Sequence, residues 1–588
     1  MLDAHSLAYV VARKGKEPLH VLEQVSFIIP TGHLLAVIGP TASGKTTLLR
    51  ILAGLDEAAS GSLTLSGRDL LKTPLQPNEL GWVPAHDDSL HESLTVRENL
   101  MSALLLRGAE LTKEQVVSKV SHILVVVGLE NIASERVSTL ALPQRRRLKL
   151  GLALVAGPRI VLCDDFTAGL DVRSEREMEA LLKLAASDQP GRIIIHATDS
   201  LSNLAAYDTA LVLHEGYVAY HGPAKALPHY FTVPTYDEVY SRLAKRPAQR
   251  WGDSWMRHRD SYYAAFKLGS TGEELSAAEE DIGDTDATVI ARQKATEEGR
   301  TPEAPASTVE STPVLKLPGL IAQTKHLLLR RLTLLRRTRR EWLVHLGLLL
   351  GAPLLLWLLL QPGAAHLKQA ETATDAAGLL PAAHTTSALY FIQILLIMFM
   401  ALRLGARELA ARRATYERER IAGVKPAAVL ASALLYVLPI VLLQSFWMSI
   451  FLEMVTGGLP GNGGMRLLLP ALTGTAFAAL CLGLSANCRV AERAHSLCLT
   501  LLCANVLLSG GILGLPKMVG HLVHPFITAH YGWSGILDSI SGDKLFPHLT
   551  SLVKTWFATP SLALIVLGVH FLIGLILVII GLRRRIGG

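Results

Sequence analysis

Gly39-Pro-Thr-Ala-Ser-Gly44-Lys45-Thr46 is the stretch that decides the fold of the first part of this chain. It matches the pattern G-x-x-x-x-G-K-[ST], in which backbone N–H groups wrap phosphates, the lysine neutralises their charge and the last hydroxyl ligates Mg²⁺. The apolar run 34–38 predicts a buried strand before the loop. Residues 46–53 predict a helix after it, with its N-terminal dipole towards the phosphates. The sequence therefore predicts an α/β domain that binds nucleotide.

We expect this loop to hold ATP with Mg²⁺. The predicted phosphate contacts are the loop and the start of its helix: Gly39, Pro40, Thr41, Ala42, Ser43, Gly44, Lys45, Thr46 and Thr47. The apolar segment 159–164 predicts a second strand that ends in the carboxylate of Asp164, the usual place for a Mg²⁺-water ligand in phosphate-loop ATPases. Thr46 and Asp164 are thus the predicted metal residues. Tyr9, on an earlier strand, is a candidate for stacking on adenine, although packing is the commoner role of a strand tyrosine.

Composition separates two parts of the chain. The 588 residues carry a net charge of +7, and half of them are hydrophobic. After about residue 342 the apolar runs reach roughly 20 residues, which is the length that crosses a bilayer. Arginine clusters flank these runs, so the positive charge suits a membrane surface rather than nucleic acid. Residues 1–6 show no signal peptide, so we expect the first domain to lie in the cytoplasm.

The apolar runs predict six membrane spans, at about 342–360, 386–404, 427–453, 467–487, 495–515 and 560–582. The connections 407–425 and 489–493 and the end of the chain, 583–585, are rich in arginine. By the positive-inside rule this places both termini in the cytoplasm. Residues 320–340 predict an amphipathic helix on the cytoplasmic membrane surface. The predicted fold is an N-terminal α/β phosphate-loop ATPase followed by an all-α six-helix transmembrane domain.

Three further motifs resemble the ATP-binding cassette (ABC) transporter family. Ala168-Gly-Leu-Asp171 directly follows the second strand, and Leu140-Ala-Leu-Pro-Gln144 lies just before it. The segments 94–100 and 220–223, with an ATPase ahead of the membrane part, resemble the G subfamily, the "white" type of half-transporter. The resemblance implies an ABC nucleotide-binding domain (1–235) and a transmembrane domain (317–588). The acidic, proline-bearing composition between them predicts a linker (236–316) that is partly disordered.

The departures from the family pattern affect positions that serve ATP hydrolysis in the family. The family signature L-S-G-G-Q grips the γ-phosphate held by the opposite subunit, and here it has lost its hydroxyl and both glycines. Asp165 replaces the glutamate that polarises the attacking water, and is shorter by one methylene. The switch histidine aligns with Thr198, with His196 two residues earlier. The glutamine that senses Mg²⁺ aligns with His86 or, after a one-residue slip, with Ala85. These changes predict a cassette that binds ATP but hydrolyses it weakly.

The resemblance implies a dimer, because each ATP site pairs one chain's phosphate loop with the other chain's signature. We expect one half of an ATP-driven exporter of a lipophilic substrate (lipid, sterol or hydrophobic compound), with a second half-transporter in a heterodimer preferred over a homodimer. The alternative is a nucleotide-gated regulatory or scaffold subunit that does not transport. Either protein would contact membrane lipids and no nucleic acid.

Few polar residues fall in the spans. Gln393, Gln444 and His345 either line a path or bond neighbouring helices. The outer segment 516–559 carries Trp533 and Trp556, which suit a membrane interface. That segment has no cysteine and the chain has no N-x-[ST] sequon. A bacterial inner membrane is therefore the expected location.

Overall fold

The computed structural model describes residues 1–13, 17–85, 90–266 and 315–584. The chain divides into two units. The first contains Met1–Pro318 and Ile421–Gly423, and the second contains Gly319–Arg420 and Val424–Gly588.

Two sheets form the frame of the first unit. An antiparallel four-stranded sheet has the order β2-β1-β4-β5, and a six-stranded sheet has the order β10-β9-β3-β8-β7-β6. The strands are β1 (Leu2–Val11), β2 (Leu19–Ile29), β3 (Leu34–Ile38), β4 (Ser60–Leu65), β5 (Arg68–Asp69), β6 (Leu80–Val83), β7 (Ile160–Asp164), β8 (Ile193–Thr198), β9 (Thr209–His214) and β10 (Tyr217–Pro223).

The central strands β3, β7 and β8 run parallel and every residue in them is buried. Such strands are largely apolar because helices cover both faces of a parallel sheet. The covering helices and their neighbours are α1 (Lys45–Leu52), α2 (Val96–Leu105), α3 (Lys113–Val126), α4 (Leu142–Leu154), α5 (Val172–Ser187), α6 (Leu227–Phe231), α7 (Val239–Leu243) and α8 (Ala248–Ala265). The carboxyl ends of β3, β8 and β7 therefore lie side by side at one edge.

Part of the segment predicted as a linker is helical. Residues 236–266 contain α7 and α8, and Trp251 and Trp255 on α8 are buried in the core of the first unit. These aromatic side chains give the segment the apolar surface that ordered packing requires. The acidic and proline-bearing residues 267–314 lie outside the described residues.

The second unit is helical. Its helices are α9 (Leu320–Arg337), α10 (Arg339–Leu360), α11 (Ala364–Thr372), α12 (Ala376–Gly405), α13 (Arg413–Ile421), α14 (Pro426–Thr456), α15 (Gly463–Ala486), α16 (Ala491–Leu508), α17 (Lys517–Val523), α18 (Thr528–Asp538), α19 (Phe546–Leu552) and α20 (Pro560–Arg583). The predicted α/β domain followed by a helical membrane domain is thus confirmed.

Within the described residues, five helical stretches are long and apolar enough to span a membrane: Arg339–Thr372, Ala376–Ile421, Pro426–Thr456, Gly463–Ala486 and Pro560–Arg583. A helix also lies at the fifth predicted span, 495–515, but this helix, α16, falls short of that standard because Glu492, Arg493 and His495 occupy its first turns. Trp533 is 1% exposed and donates to the carbonyl of Ser387 at 3.1 Å, so it lies in the core of this unit.

Candidate functional site

The phosphate loop lies between β3 and α1. An added Cβ at Gly39 would lie 2.2 Å from the carbonyl oxygen of Leu213, so only glycine fits there. Gly44 has a φ of 102°, in the left-handed region that favours glycine, and an added Cβ would lie 2.7 Å from a methyl carbon of Leu22. The hydroxyl of Ser43 is buried and has no hydrogen-bond partner among the described residues. This narrow backbone cradle at a helix N-terminus fits the phosphates of a nucleotide.

Lys45 bridges the two ends of the loop. Its Nζ donates to the carbonyl oxygens of Gly39 at 2.7 Å and Pro40 at 3.1 Å. It also forms an ion pair with the Asp199 carboxylate at 2.5 Å. The cation is thereby held inside the loop that would receive phosphate.

Thr46 in α1 and Asp164 at the end of β7 lie within hydrogen-bonding distance of each other. The Thr46 hydroxyl donates to Oδ1 of Asp164 at 3.0 Å, and the Asp164 carboxylate at the end of β7 is buried. A hydroxyl and a carboxylate are the oxygen donors that Mg²⁺ takes from a protein when it also binds nucleotide phosphates. The pair fits a Mg²⁺ ion, which would help to neutralise those phosphates when bound.

The structure separates the two candidates for the switch residue. Thr198 ends β8 and pairs with Ile38, the last residue before the phosphate loop. His196 is two residues deeper, fully buried, and its Nδ1 lies 2.7 Å from the Tyr207 hydroxyl. Burial lowers the pKa of His196 to about 3, so its ring is neutral at physiological pH. Thr198 therefore lies at the edge that carries the loop, whereas His196 lies in the core.

Asp165 has a φ of 50°, and its N–H donates to the carbonyl of Ala197 at 2.9 Å. This left-handed backbone turns the chain sharply after β7, and aspartate tolerates it better than most residues. The turn puts Asp165 at the same sheet edge as Thr198 and Asp164. His86 lies outside the described residues, so its position relative to this edge is not described.

The signature segment forms the start of α4. The helix begins at Leu142, Pro143 lies in its first turn, and Ala141 occupies the N-cap position without a side-chain acceptor. The N–H of Ala141 donates to Oε1 of Gln144 at 2.9 Å. Proline suits a first turn because its missing N–H would have had no partner within the helix. The result is a stable helix start that lacks the hydroxyl and one N–H of the family pattern.

Tyr9 lies one strand away from the phosphate loop. It pairs with Leu22 on β2, and Leu22 packs against Gly44. The Tyr9 ring is partly buried on the core of the first unit. This position allows packing as well as contact with a nucleotide.

Sequence reasoning missed Asp199 and Tyr240 as site residues. Asp199 follows β8 and pairs with Lys45, while the Tyr240 hydroxyl on α7 accepts from the N–H of Gly39 at 3.1 Å. Tyr240 lies 201 positions after Gly39, so no local motif could reveal it. The acidic residue beside the switch position was the one available signal for Asp199.

Two buried glutamines lie in the helices of the second unit, and one of them bonds a neighbouring helix. Gln393 on α12 is 1% exposed and its Nε2 donates to the Ser449 hydroxyl on α14 at 2.8 Å. Gln444 on α14 is also buried, and its Oε1 has no hydrogen-bond partner within the part of the chain that the structure describes. The Gln393 contact is the interhelical hydrogen bond that membrane helices use.

Comparisons with known proteins agree with this geometry. The "ABC transporter" family profile matches residues 22–168, and the "ABC-2 type transporter" profile matches residues 323–536. A sulfate/thiosulfate import ATP-binding protein of Mycolicibacterium paratuberculosis is 31% identical over 271 residues, which is 46% of this chain and 71% of that protein. The chain belongs to the ABC transporter family.

Two other relatives match different lengths of this ABC transporter. A sulfate/thiosulfate import ATP-binding protein of Mycobacterium tuberculosis is 34% identical over 213 residues, covering 35% of this chain and 60% of that protein. An ABC transporter ATP-binding/permease protein of the same organism is 26% identical over 559 residues, covering 92% of this chain. The chain spans 58% of that protein's length.

These matches establish an ABC ATPase domain, which binds ATP with Mg²⁺ as the usual partner ion, fused to an ABC-2 type membrane domain. The chain is an integral membrane protein. The order of the two domains agrees with the order of the two structural units.

Proposed function

We propose that this ABC transporter is a half-transporter of the G-subfamily type, which exports a lipophilic substrate and whose own cassette hydrolyses ATP weakly. One cassette and one membrane domain make half of the usual machine. The proposal includes six spans with α16 as the fifth, and both termini in the cytoplasm, since the arginine-rich connections flank the spans on one side. The expected location is a bacterial inner membrane.

The start of α4 carries the proposal of weak hydrolysis. Ala141 offers no hydroxyl, Leu142 puts a bulky side chain where a backbone should approach closely, and Pro143 removes an N–H. Leu142 also lies beside Gly169 in the turn after β7. Any γ-phosphate presented by a second subunit would therefore meet fewer donors than the family signature supplies.

A lipophilic substrate follows from the chemistry of the spans. The candidate spans have a mean hydropathy of 2.0 or more in their most apolar windows, and the buried amide Gln393 is bonded to another helix. Such a membrane domain offers little to replace the water around an ion or a sugar. The sulfate named for the importers belongs to proteins that match the cassette alone, and it is not part of this proposal.

The test is the ATPase activity of the purified chain in lipid, alone and with any half-transporter that co-purifies with it. Lys45→Ala is the matched control, because Lys45 is the cation of the loop. We expect little turnover alone and Lys45-dependent turnover with the partner. Appreciable turnover by the chain alone would contradict weak hydrolysis. No ATP turnover by the chain alone or with the partner, with ATP still bound, would favour a nucleotide-gated regulatory subunit.

A further inference from the structure

Tyr240 connects two parts of the nucleotide site. Its hydroxyl accepts from the N–H of Gly39 at 3.1 Å and donates to the carbonyl oxygen of Asp199 at 3.2 Å. A phenol has one proton to donate, so the donor of Tyr240 is committed to Asp199 while its oxygen holds the loop. We propose that Tyr240 positions the phosphate loop for nucleotide, and that the Asp199 carboxylate it keeps nearby competes with the phosphates for Lys45.

The partners of Lys45 define the competition. An ammonium group has three N–H donors, and those of Lys45 face the carbonyls of Gly39 and Pro40 and the carboxylate of Asp199. The two carbonyls belong to the loop backbone and are fixed by it. The Asp199 side chain is 56% exposed and can rotate into solvent. An incoming phosphate therefore replaces Asp199 at Lys45, and the backbone of Asp199 stays bonded to Tyr240.

Tyr240 lies on a well-supported helix. Val239 and Leu243 of α7 are fully buried, and the indole N–H of Trp251 donates to the carbonyl of Leu243 at 3.0 Å. Burial raises the pKa of Tyr240 further above its usual range, so the phenol keeps its proton at neutral pH. The residues after the last strand thus supply a rigid support for the loop, as a positioning residue requires.

This role rests on ATP binding by the cassette and goes beyond the proposed half-transporter function. It concerns the affinity for nucleotide and holds whether or not the bound ATP is hydrolysed.

The experiment measures equilibrium binding of Mg²⁺-ATP, Mg²⁺-ADP and AMP to the full chain in lipid nanodiscs by calorimetry. The variants are Tyr240→Phe, Asp199→Asn and, as a matched control, Tyr263→Phe, whose hydroxyl bonds His221 at 2.8 Å in the same unit. We expect Tyr240→Phe to weaken ATP and ADP binding about 3- to 10-fold, since it removes two hydrogen bonds. We expect Asp199→Asn to strengthen both by about 3- to 10-fold.

AMP separates positioning from general stability. Lys45 of a phosphate loop reaches the β- and γ-phosphates, which AMP lacks, so Asp199→Asn should leave AMP binding unchanged. Wild-type affinity in Tyr240→Phe, or unchanged or weaker ATP binding in Asp199→Asn, would overturn the proposal. Equal loss of ATP and AMP in Tyr240→Phe would also overturn it. ATP binding that is unchanged in Lys45→Ala would overturn the competition for Lys45, whereas a wild-type chain that binds no ATP would overturn the proposed function.

Discussion

At the scale of single residues, Asp164 is the side chain on which we expect Mg²⁺ binding to depend. Its Oδ1 lies 3.0 Å from the Thr46 hydroxyl, and its carboxylate is buried. Asp164→Asn keeps the shape of the side chain and removes its charge. We expect a loss of about 10- to 100-fold in the Mg²⁺-dependent part of ATP affinity, the usual effect of removing a partner of a metal-bound ligand. Titrations of ATP with Mg²⁺ and with a chelator measure that part.

The control for this variant is Asp260→Asn. Asp260 is 82% exposed and pairs with its neighbour Arg259, so its loss should leave both titrations unchanged. A variant at Asp164 that binds Mg²⁺-ATP as well as the wild type would show that Asp164 does not hold the ion.

Glu179 predicts a pH dependence of stability. Its carboxylate accepts from Asn203 at 2.7 Å and from Tyr207 at 3.3 Å, and burial raises its pKa from 4.5 to about 7. The folded state therefore holds a proton that the unfolded state releases. The stability due to that proton is complete below pH 4.5 and is lost as the pH rises through 7. Glu179→Gln keeps the neutral form at every pH.

We expect the free energy of unfolding of Glu179→Gln, relative to that of the wild type, to rise by about 1–3 kcal/mol as the pH increases from 5 to 8.5. Thermal unfolding followed by tryptophan fluorescence at several pH values measures the difference. Glu177→Gln, at a side chain that is 47% exposed, is the control for removing a carboxylate from the same helix. A stability difference that does not change with pH in Glu179→Gln would contradict a raised pKa.

At the scale of elements, Arg413 ties three helices of the second unit together. It begins α13, and its guanidinium donates to the carbonyls of Ala486 at 3.1 Å and Gly581 at 3.0 Å, near the ends of α15 and α20. Helix ends leave carbonyls without partners, and a buried arginine satisfies several of them at once. Arg413→Ala should lower the free energy of unfolding by about 2–4 kcal/mol.

Thermal unfolding in lipid compares Arg413→Ala with Arg340→Ala, which removes the same side chain from an exposed position. We expect a lower unfolding temperature for the first variant alone. Equal unfolding temperatures would show that the carbonyls find other partners without Arg413.

Local patterns predicted the site where its parts are close in sequence. The phosphate loop with its strand and helix, and Asp164 at a strand end, needed no knowledge of distant residues. Thr198 and His196 were harder, since residues two apart lie on the same face of a strand. Their depth in the sheet distinguishes them, because Thr198 is the last residue of β8 and His196 lies two residues further into the core. Tyr240 depends on α7 returning to the loop, which no sequence period encodes.

At the scale of the whole molecule, the proposed dimer would place two of the sequence departures in different halves of an ATP site. In the proposed half-transporter, Asp165 would act beside this chain's own phosphate loop, whereas residues 140–144 would act on ATP held by another subunit. In a heterodimer with an intact partner, the two defects would lie in separate sites. In a homodimer, each site would contain both defects. The effect on ATP turnover of repairing each defect, alone and together, therefore distinguishes a heterodimer from a homodimer.

The last prediction uses Asp165→Glu and the triple change Ala141→Ser, Leu142→Gly, Pro143→Gly as repairs. In a heterodimer we expect each repair to raise ATP turnover independently, so that the two gains add. In a homodimer each repair alone should do little, and the two together should raise turnover by about 100-fold or more, because one site then regains both a placed base and its donors. ATPase rates of the four combinations, each beside Lys45→Ala, give the answer. We expect additive gains with the co-purified partner. A gain that appears solely in the combined variant would contradict the heterodimer.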